Sequence, residues 1–159
     1  VNWSIVPAQS IVPQNMQQLK LAIPLYQSHG FGNVKYAAAA GEAGNGIMFH
    51  GGRLLAADTV PDSNPQKKVL VDYKTAYEKT FNDTVSTFGG HAYDALWIVV
   101  NALEKVGDDP AKLRDEIENA EFVGTAGIFK MSPEDHCGVG KDAFEMLTVQ
   151  DGKFVVLKD

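Results

Sequence analysis

The chain has 159 residues, 45% of them apolar and 21% charged, with a net charge of −6. That composition supports one ordinary core and lies far from disordered sequences, and it lacks the Lys and Arg excess that nucleic acid or an anionic membrane surface needs in a partner. No apolar run approaches the ~20 residues of a membrane span, and the abrupt start at Val1-Asn2-Trp3, with no initiator Met and no signal peptide, reads as a fragment of something longer.

Val1–Ile5 reads as a strand. Val12, Met16 and Leu19 follow at helical spacing, with Pro7 suited to the helix entrance and Pro13 a kink or delay. Ile23–Gln27 is a second strand, which makes a strand–helix–strand unit of the kind that is normally parallel and right-handed. Gly30–Gly32 opens a short helix through Ala37–Ala40, and Gly44–Gly46 releases the chain into a third strand, Ile47–His50. Repeated β-α spacing implies an α/β layer.

From Gly51 to Pro65 periodicity is lost and Gly, Pro, Asp, Ser and Asn gather, the mark of a connection between two structural units. Asn64 and Pro65 then offer a cap and a first helical position. Val69, Tyr73, Ala76 and Phe81 form an apolar stripe, with Lys67, Lys68, Lys74 and Lys79 mostly on the solvated face. The strongest helix carries Ala92, Leu96, Val99, Leu103 and Val106 at spacings of four and three, so this stripe is predicted to pack on a core; Gly107 stands at the C-cap. Asp109-Pro110 starts another helix, with Leu113, Ile117 and Ala120 inward. Gly124–Met131 and Ala143–Leu157 read as strands, the latter broken by an Asp151-Gly152 hairpin turn.

The segment from Val85 to Leu96 places polar and aromatic groups at a helix start without catalytic machinery around them. Gly89 and Gly90 permit close backbone approach, and the first-turn amides are open to a ligand group, preferably an anionic one. Other chemistry finds less support. Ser28-His29, with Asp58 or Asp94 as orienting acid, lacks the Gly-x-Ser-x-Gly elbow, and adjacent residues on an extended segment point apart, so no catalytic residue is assigned. Asp135, His136 and Cys137 are consecutive and lack metal-ligand spacing, so they read as a turn; Cys137, the single cysteine, leaves no internal disulfide. His50 is read as crossover structure and Trp97 as packing. No metal and no cofactor is expected.

Three segments carry a family resemblance: Tyr26-Gln27-Ser28-His29-Gly30-Phe31-Gly32-Asn33, Phe88-Gly89-Gly90-His91-Ala92-Tyr93-Asp94-Ala95-Leu96, and Phe122-Val123-Gly124-Thr125-Ala126-Gly127 followed by Ser132-Pro133-Glu134-Asp135-His136. In their order and spacing the chain resembles the periplasmic solute-binding proteins of branched-chain amino-acid ABC transporters, the Leu/Ile/Val-binding type, and looks like the C-terminal half only. The resemblance implies an α/β type I periplasmic-binding-protein fold with two lobes, parallel sheets flanked by helices, a C-terminal β-hairpin, and a ligand cleft between the lobes. Residues 1–55 would belong to the second lobe, 56–145 to the first and 146–159 again to the second, with crossings near Leu54–Asp58 and Met146–Val149.

The resemblance also implies site residues. Ile5, Val6, Pro7 and Ala8 correspond to a strand end, His29 and Gly30 to a loop start, and Phe88 to an apolar wall from the other lobe; His91 is a further candidate contact near a helix start. Amino-acid binders of this kind commonly use a Tyr and an acidic residue where this chain has Ile5 and His29. An α-ammonium group would then lack its buried counter-charge, whereas imidazole meets a neutral or anionic group. The expected ligand is a branched-chain amino acid or a related apolar or aromatic carboxylate. Expected partners are that small solute, a membrane ABC permease, and either the missing N-terminal half or a second copy of the chain; nucleic acid is not among them. The expected location is periplasmic or extracytoplasmic, with the signal peptide in the precursor. The same fold serves sensory domains of receptors and regulators, an alternative that this half does not separate.

Overall fold

The computed structural model describes residues 1–5 and 7–157. In chain order the elements are α1 (Ile11–Gln18), β1 (Tyr26–Gln27), α2 (Val34–Ala40), β2 (Met48–Gly52), α3 (Lys67–Phe81), α4 (Thr87–Val106), α5 (Pro110–Glu118), β3 (Glu121–Val123), β4 (Ile128–Lys130), β5 (Phe144–Gln150) and β6 (Lys153–Val156). They form two compact units, Val1–Val60 with Phe144–Asp159, and Pro61–Ala143.

The first unit is built on a four-stranded sheet in the order β1-β2-β5-β6. The sheet is mixed: β1 and β2 are parallel, whereas β2, β5 and β6 run antiparallel in turn. The Asp151-Gly152 turn joins β5 to β6 with φ of 51° and 73°, the positive pair that a two-residue hairpin requires. Strand alternation sends Phe49, Leu147, Val149 and Phe154 to one face, where they pack with Phe31, Ala37, Ile47 and Ala56. Three of those rings meet edge to face, Phe31–Phe49 at 5.5 Å, Phe49–Phe154 at 4.9 Å and Phe31–Phe154 at 6.0 Å between centroids. α2 closes on this core through Ala37 and Ala40, its start capped by Asn33, whose Oδ1 accepts from Lys35 N at 2.9 Å.

Two predicted strands are shorter than the sequence suggests. Val1–Ile5 makes one parallel bridge, Asn2 to Gln27, and Ile23–Gln27 contributes only Tyr26 and Gln27. Pro24 has no N–H to give a ladder, and at Ser28 the backbone leaves for the 3-10 turn His29–Phe31, so two residues are all that the ladder can use. Strand β2 is longer than predicted and takes in Gly51 and Gly52, where the sequence reading begins its connection. Gly51 suits the strand because a Cβ there would lie 3.0 Å from Leu147 Cδ1.

The second unit consists of three helices and the β3–β4 hairpin. Residues read as one strand, Gly124–Met131, are instead a turn and β4, paired antiparallel with Glu121–Val123. Helix α3 begins at Lys67, two residues later than expected, because Asn64 folds back on the turn and its Oδ1 accepts from Gln66 N at 2.9 Å. α3 and α4 meet closely at Gly89, where a Cβ would fall 2.6 Å from the Tyr73 hydroxyl. α4 ends at Gly107, whose φ is 73°. Asp109 caps α5, its Oδ1 accepting from the N–H groups of Ala111 and Lys112 at 3.0 and 3.2 Å.

The predicted inward stripe of α4 is a correction. Gly90, Asp94, Ile98 and Ala102 are the buried positions, whereas Leu96, Val99 and Leu103 are exposed. α4 is apolar nearly all round, so its sequence fits burial of more than one face. Within this unit the face bearing Asp94 is taken by the Gly124–Gly127 turn.

Candidate ligand-binding site

Five of the predicted contacts that the structure describes fall in the first unit, and the fold joins the two segments that carry them. The extended Asn2–Ile5 segment lies against the Ser28–Phe31 turn. Asn2 N donates to Tyr26 O at 2.8 Å, Ser28 N to Asn2 O at 3.0 Å, and Ser4 N to Ser28 Oγ at 3.2 Å. The Ser28 hydroxyl in turn donates to the Ser4 carbonyl. Gly30 is buried where a side chain has no room, since a Cβ there would lie 2.6 Å from Ile5 Cγ2 and 2.7 Å from Ser4 O. Ile5 and Gly30 are thus in contact, with His29 exposed beside them. Pro7 and Ala8 begin the 3-10 turn Pro7–Ser10 and are exposed. Val6 lies outside the described residues.

A polar layer that the sequence reading missed holds this cradle. Gln9, Gln27 and Ser28 are almost fully buried. Asn2 Nδ2 donates to Gln27 Oε1 at 2.7 Å, Gln27 Nε2 to Gln9 O at 3.0 Å, and Gln9 Nε2 to Ser28 Oγ at 3.2 Å. Buried amides bonded in series fix one another's orientation, because leaving any one unpaired is costly. Gln9 Oε1 is the buried side-chain acceptor that takes no hydrogen bond among the described residues. The only signal in the sequence was three uncharged polar side chains at positions flanking a predicted strand and helix start, which is too common a pattern to single out.

His50 reads in the sequence both as the end of a strand and as crossover structure, and the fold gives it the strand. It sits within β2, with its ring 5.8 Å from that of His29 and 6.1 Å from that of Trp3. Arg53, three residues further along, is engaged by Glu145 at 2.8 Å through both Nε and Nη2. The hydroxyl of Ser28 bonds Ser4 and Gln9, not an imidazole, so it is not arranged as an activated nucleophile.

Phe88 and His91 belong to the second unit, both exposed on the first turns of α4. The first-turn amides there are not all open, since Ser86 Oγ accepts from Gly89 N at 3.3 Å. One turn further on, Asp94 is buried and accepts from Thr125 N at 2.7 Å, Ala126 N at 2.8 Å and Thr125 Oγ1 at 3.2 Å. Burial holds its carboxyl above the usual carboxylate range, against the hydrogen bonds from Thr125 and Ala126 that lower it. Gln66 Nε2 donates to Gly124 O at 2.9 Å, so the turn is gripped from both sides. This carboxylate fastens a turn. Asp135 likewise serves a turn, its Oδ1 accepting from Cys137 N and Gly138 N at 2.9 and 3.1 Å, while His136 Nε2 meets Glu118 Oε1 at 2.9 Å. Among the described residues no group of three or more His, Cys, Asp or Glu side chains is placed to hold a metal ion. No described helix is long and apolar enough to cross a membrane.

No protein-family model and no curated protein sequence matches the chain. Solved structures do. An extracellular ligand-binding receptor from Rhodopseudomonas palustris HaA2 superposes with a TM-score of 0.87 at 22% identity, over 98% of this chain and 46% of the receptor. The branched-chain amino acid transporter substrate-binding protein LivJ from Streptococcus pneumoniae, in complex with isoleucine, gives 0.74 at 21% identity over 99% and 43%. A type 1 periplasmic binding protein from Bordetella pertussis Tohama I gives 0.73 at 19% over 98% and 44%. The chain spans less than half the length of each, and across nearly all of its own length it has the α/β fold of type I periplasmic binding proteins.

Proposed function

We propose that the chain is part of an extracytoplasmic solute-binding protein that captures a branched-chain amino acid or a related apolar or aromatic carboxylate and delivers it to an ABC permease, without chemistry on the solute. The observation that carries this reading is the fold match to ligand-binding receptors over 98% of the chain, together with the close contact of Ile5 and Gly30. That contact joins two segments that the resemblance assigns to ligand. In this reading residues 1–55 and 146–159 serve one lobe and 56–145 the other. Ile5, Pro7, Ala8, His29 and Gly30 then serve the ligand from one lobe, and Phe88 and His91 from the other. The exposed Leu96, Val99 and Leu103 of α4 fit a covering partner, either the remaining half of such a protein or a second copy of the chain.

Ligand binding raises apparent stability. A thermal-shift series with leucine, isoleucine, valine, benzoate and short aliphatic carboxylates is therefore expected to raise the melting temperature with at least one of these classes. His29→Ala is expected to abolish that rise without lowering the melting temperature of the free protein, since the ring is exposed. A flat response to every class would sink the reading.

A further inference from the structure

The sheet of the first unit has two unlike faces. Opposite its packed face, register places His50 across from Met146, Gly52 across from Phe144, and Met48 across from Thr148. Trp3 and Phe144 stand on this side, 75% and 50% exposed, on either side of His50. The ring centroids step from Trp3 to His50 in 6.1 Å and from His50 to Phe144 in 5.8 Å, and His29 lies 5.8 Å from His50. Both imidazoles of the first unit are thus gathered with an exposed indole beside the Ile5–Gly30 contact. Single exposed apolar residues need no explanation, but a contiguous set of rings marks a binding surface.

From this arrangement we propose that Trp3 and His50 form a stacking shelf for the ring of a planar aromatic carboxylate, with His29 receiving the acid group. The proposal rests on the solute-binding reading and narrows its ligand. Offset or edge contacts between rings at these spacings add to affinity beyond the area they bury, which an aliphatic side chain of equal size cannot match. The charge pattern agrees. An amino acid would bring an ammonium group needing a carboxylate partner, and alternation along β5 puts Glu145 on the packed face, away from these rings, where Arg53 engages it at 2.8 Å. An acid without an ammonium group needs a donor, which an imidazole supplies. Arg53 is held there with Glu145, which leaves the histidines as the donors on this face.

The test compares benzoate, cyclohexanecarboxylate and leucine by NMR titration of the chain at millimolar concentrations, following the indole N–H of Trp3, which is assigned with Trp97→Phe. Benzoate is expected to shift that resonance and to bind several-fold to about tenfold more tightly than cyclohexanecarboxylate, the range that one aromatic pair confers. Trp3→Ala is expected to erase this preference, weakening benzoate more than cyclohexanecarboxylate until the two bind alike, with the melting temperature unchanged because the indole is 75% exposed. Equal affinity for the two acids, or a preference that survives Trp3→Ala, overturns the shelf. Leucine binding without any preference for benzoate overturns it too, and leaves the solute-binding reading standing. If none of the three binds, both fail. An indole signal that is shielded from a soluble paramagnetic quencher shows that another copy of the chain covers the face, and also overturns the proposal.

Discussion

Both units bury apolar side chains, Leu70, Ile98 and Ala102 among them in the second, but the centres of the two differ. In the first, Phe31, Phe49 and Phe154 meet edge to face, and the sheet is fixed by apolar contact that no proton can alter. In the second, the middle of the longest helix buries Asp94, and a carboxylate with three hydrogen bonds does what a ring does in the first. Apolar packing tolerates small shifts and loses stability in proportion to the volume removed. A buried carboxylate is all or nothing, because its partners lie within the same dry interior and have nowhere else to turn.

Removing the central ring is the largest expected perturbation. Phe49→Ala is expected to cost about 3–5 kcal/mol in denaturant unfolding, with hydrogen-exchange protection lost first in β2, β5 and β6. A loss confined to the second unit would break the contrast between the two interiors. Asp94→Ala comes next, at roughly 2–5 kcal/mol, because the buried N–H of Thr125 and that of Ala126 lose their acceptor. This site also has a pH signature. The folded carboxyl titrates above its unfolded value, so between the two the folded chain binds more protons, and stability falls as pH rises from the ordinary carboxylate range through the raised value. Comparing the pH dependence of unfolding in the natural chain and in Asp94→Ala isolates that slope, which is expected to vanish in the variant. The smallest effect is expected at Leu96, 61% exposed on α4, where Leu96→Gln should change stability by less than about 0.5 kcal/mol. A larger loss would show that this face is covered in solution.

What the sequence revealed follows the same division. Elements marked by local chemistry were legible: the Asp109 cap, Gly107 at the end of α4 and the Asp151-Gly152 turn all depend on residues within a few positions of one another. Features decided by distant partners were not. The facing of α4 was misread because its apolar residues run nearly all round, and the spacing of Leu96, Val99 and Leu103 resembles a buried stripe just as well as an uncovered one. The strands at Val1–Ile5 and Ile23–Gln27 shrank because a ladder needs a partner along its whole length, and Pro24 and the His29–Phe31 turn remove it. In the candidate site, the residue types at Ile5, His29 and Gly30 were noticed one by one. Their contact, the Gln9–Gln27–Ser28 layer beneath and the rings of Trp3 and His50 alongside required the fold, since these residues come from segments up to about fifty positions apart.

Gly124 bears a constraint that only the fold discloses. A Cβ on it would lie 2.6 Å from the Asp94 carboxyl carbon, inside a group already held by three hydrogen bonds. Neither partner can therefore drift alone through sequence change: any side chain at 124 evicts the carboxylate, and a longer acid at 94 collides with the turn. The two positions form one heritable unit, to be gained or lost together. With Asp94 shortened to Ala, an Ala at 124 should cost less than it does opposite the intact carboxylate, because the clash is then gone.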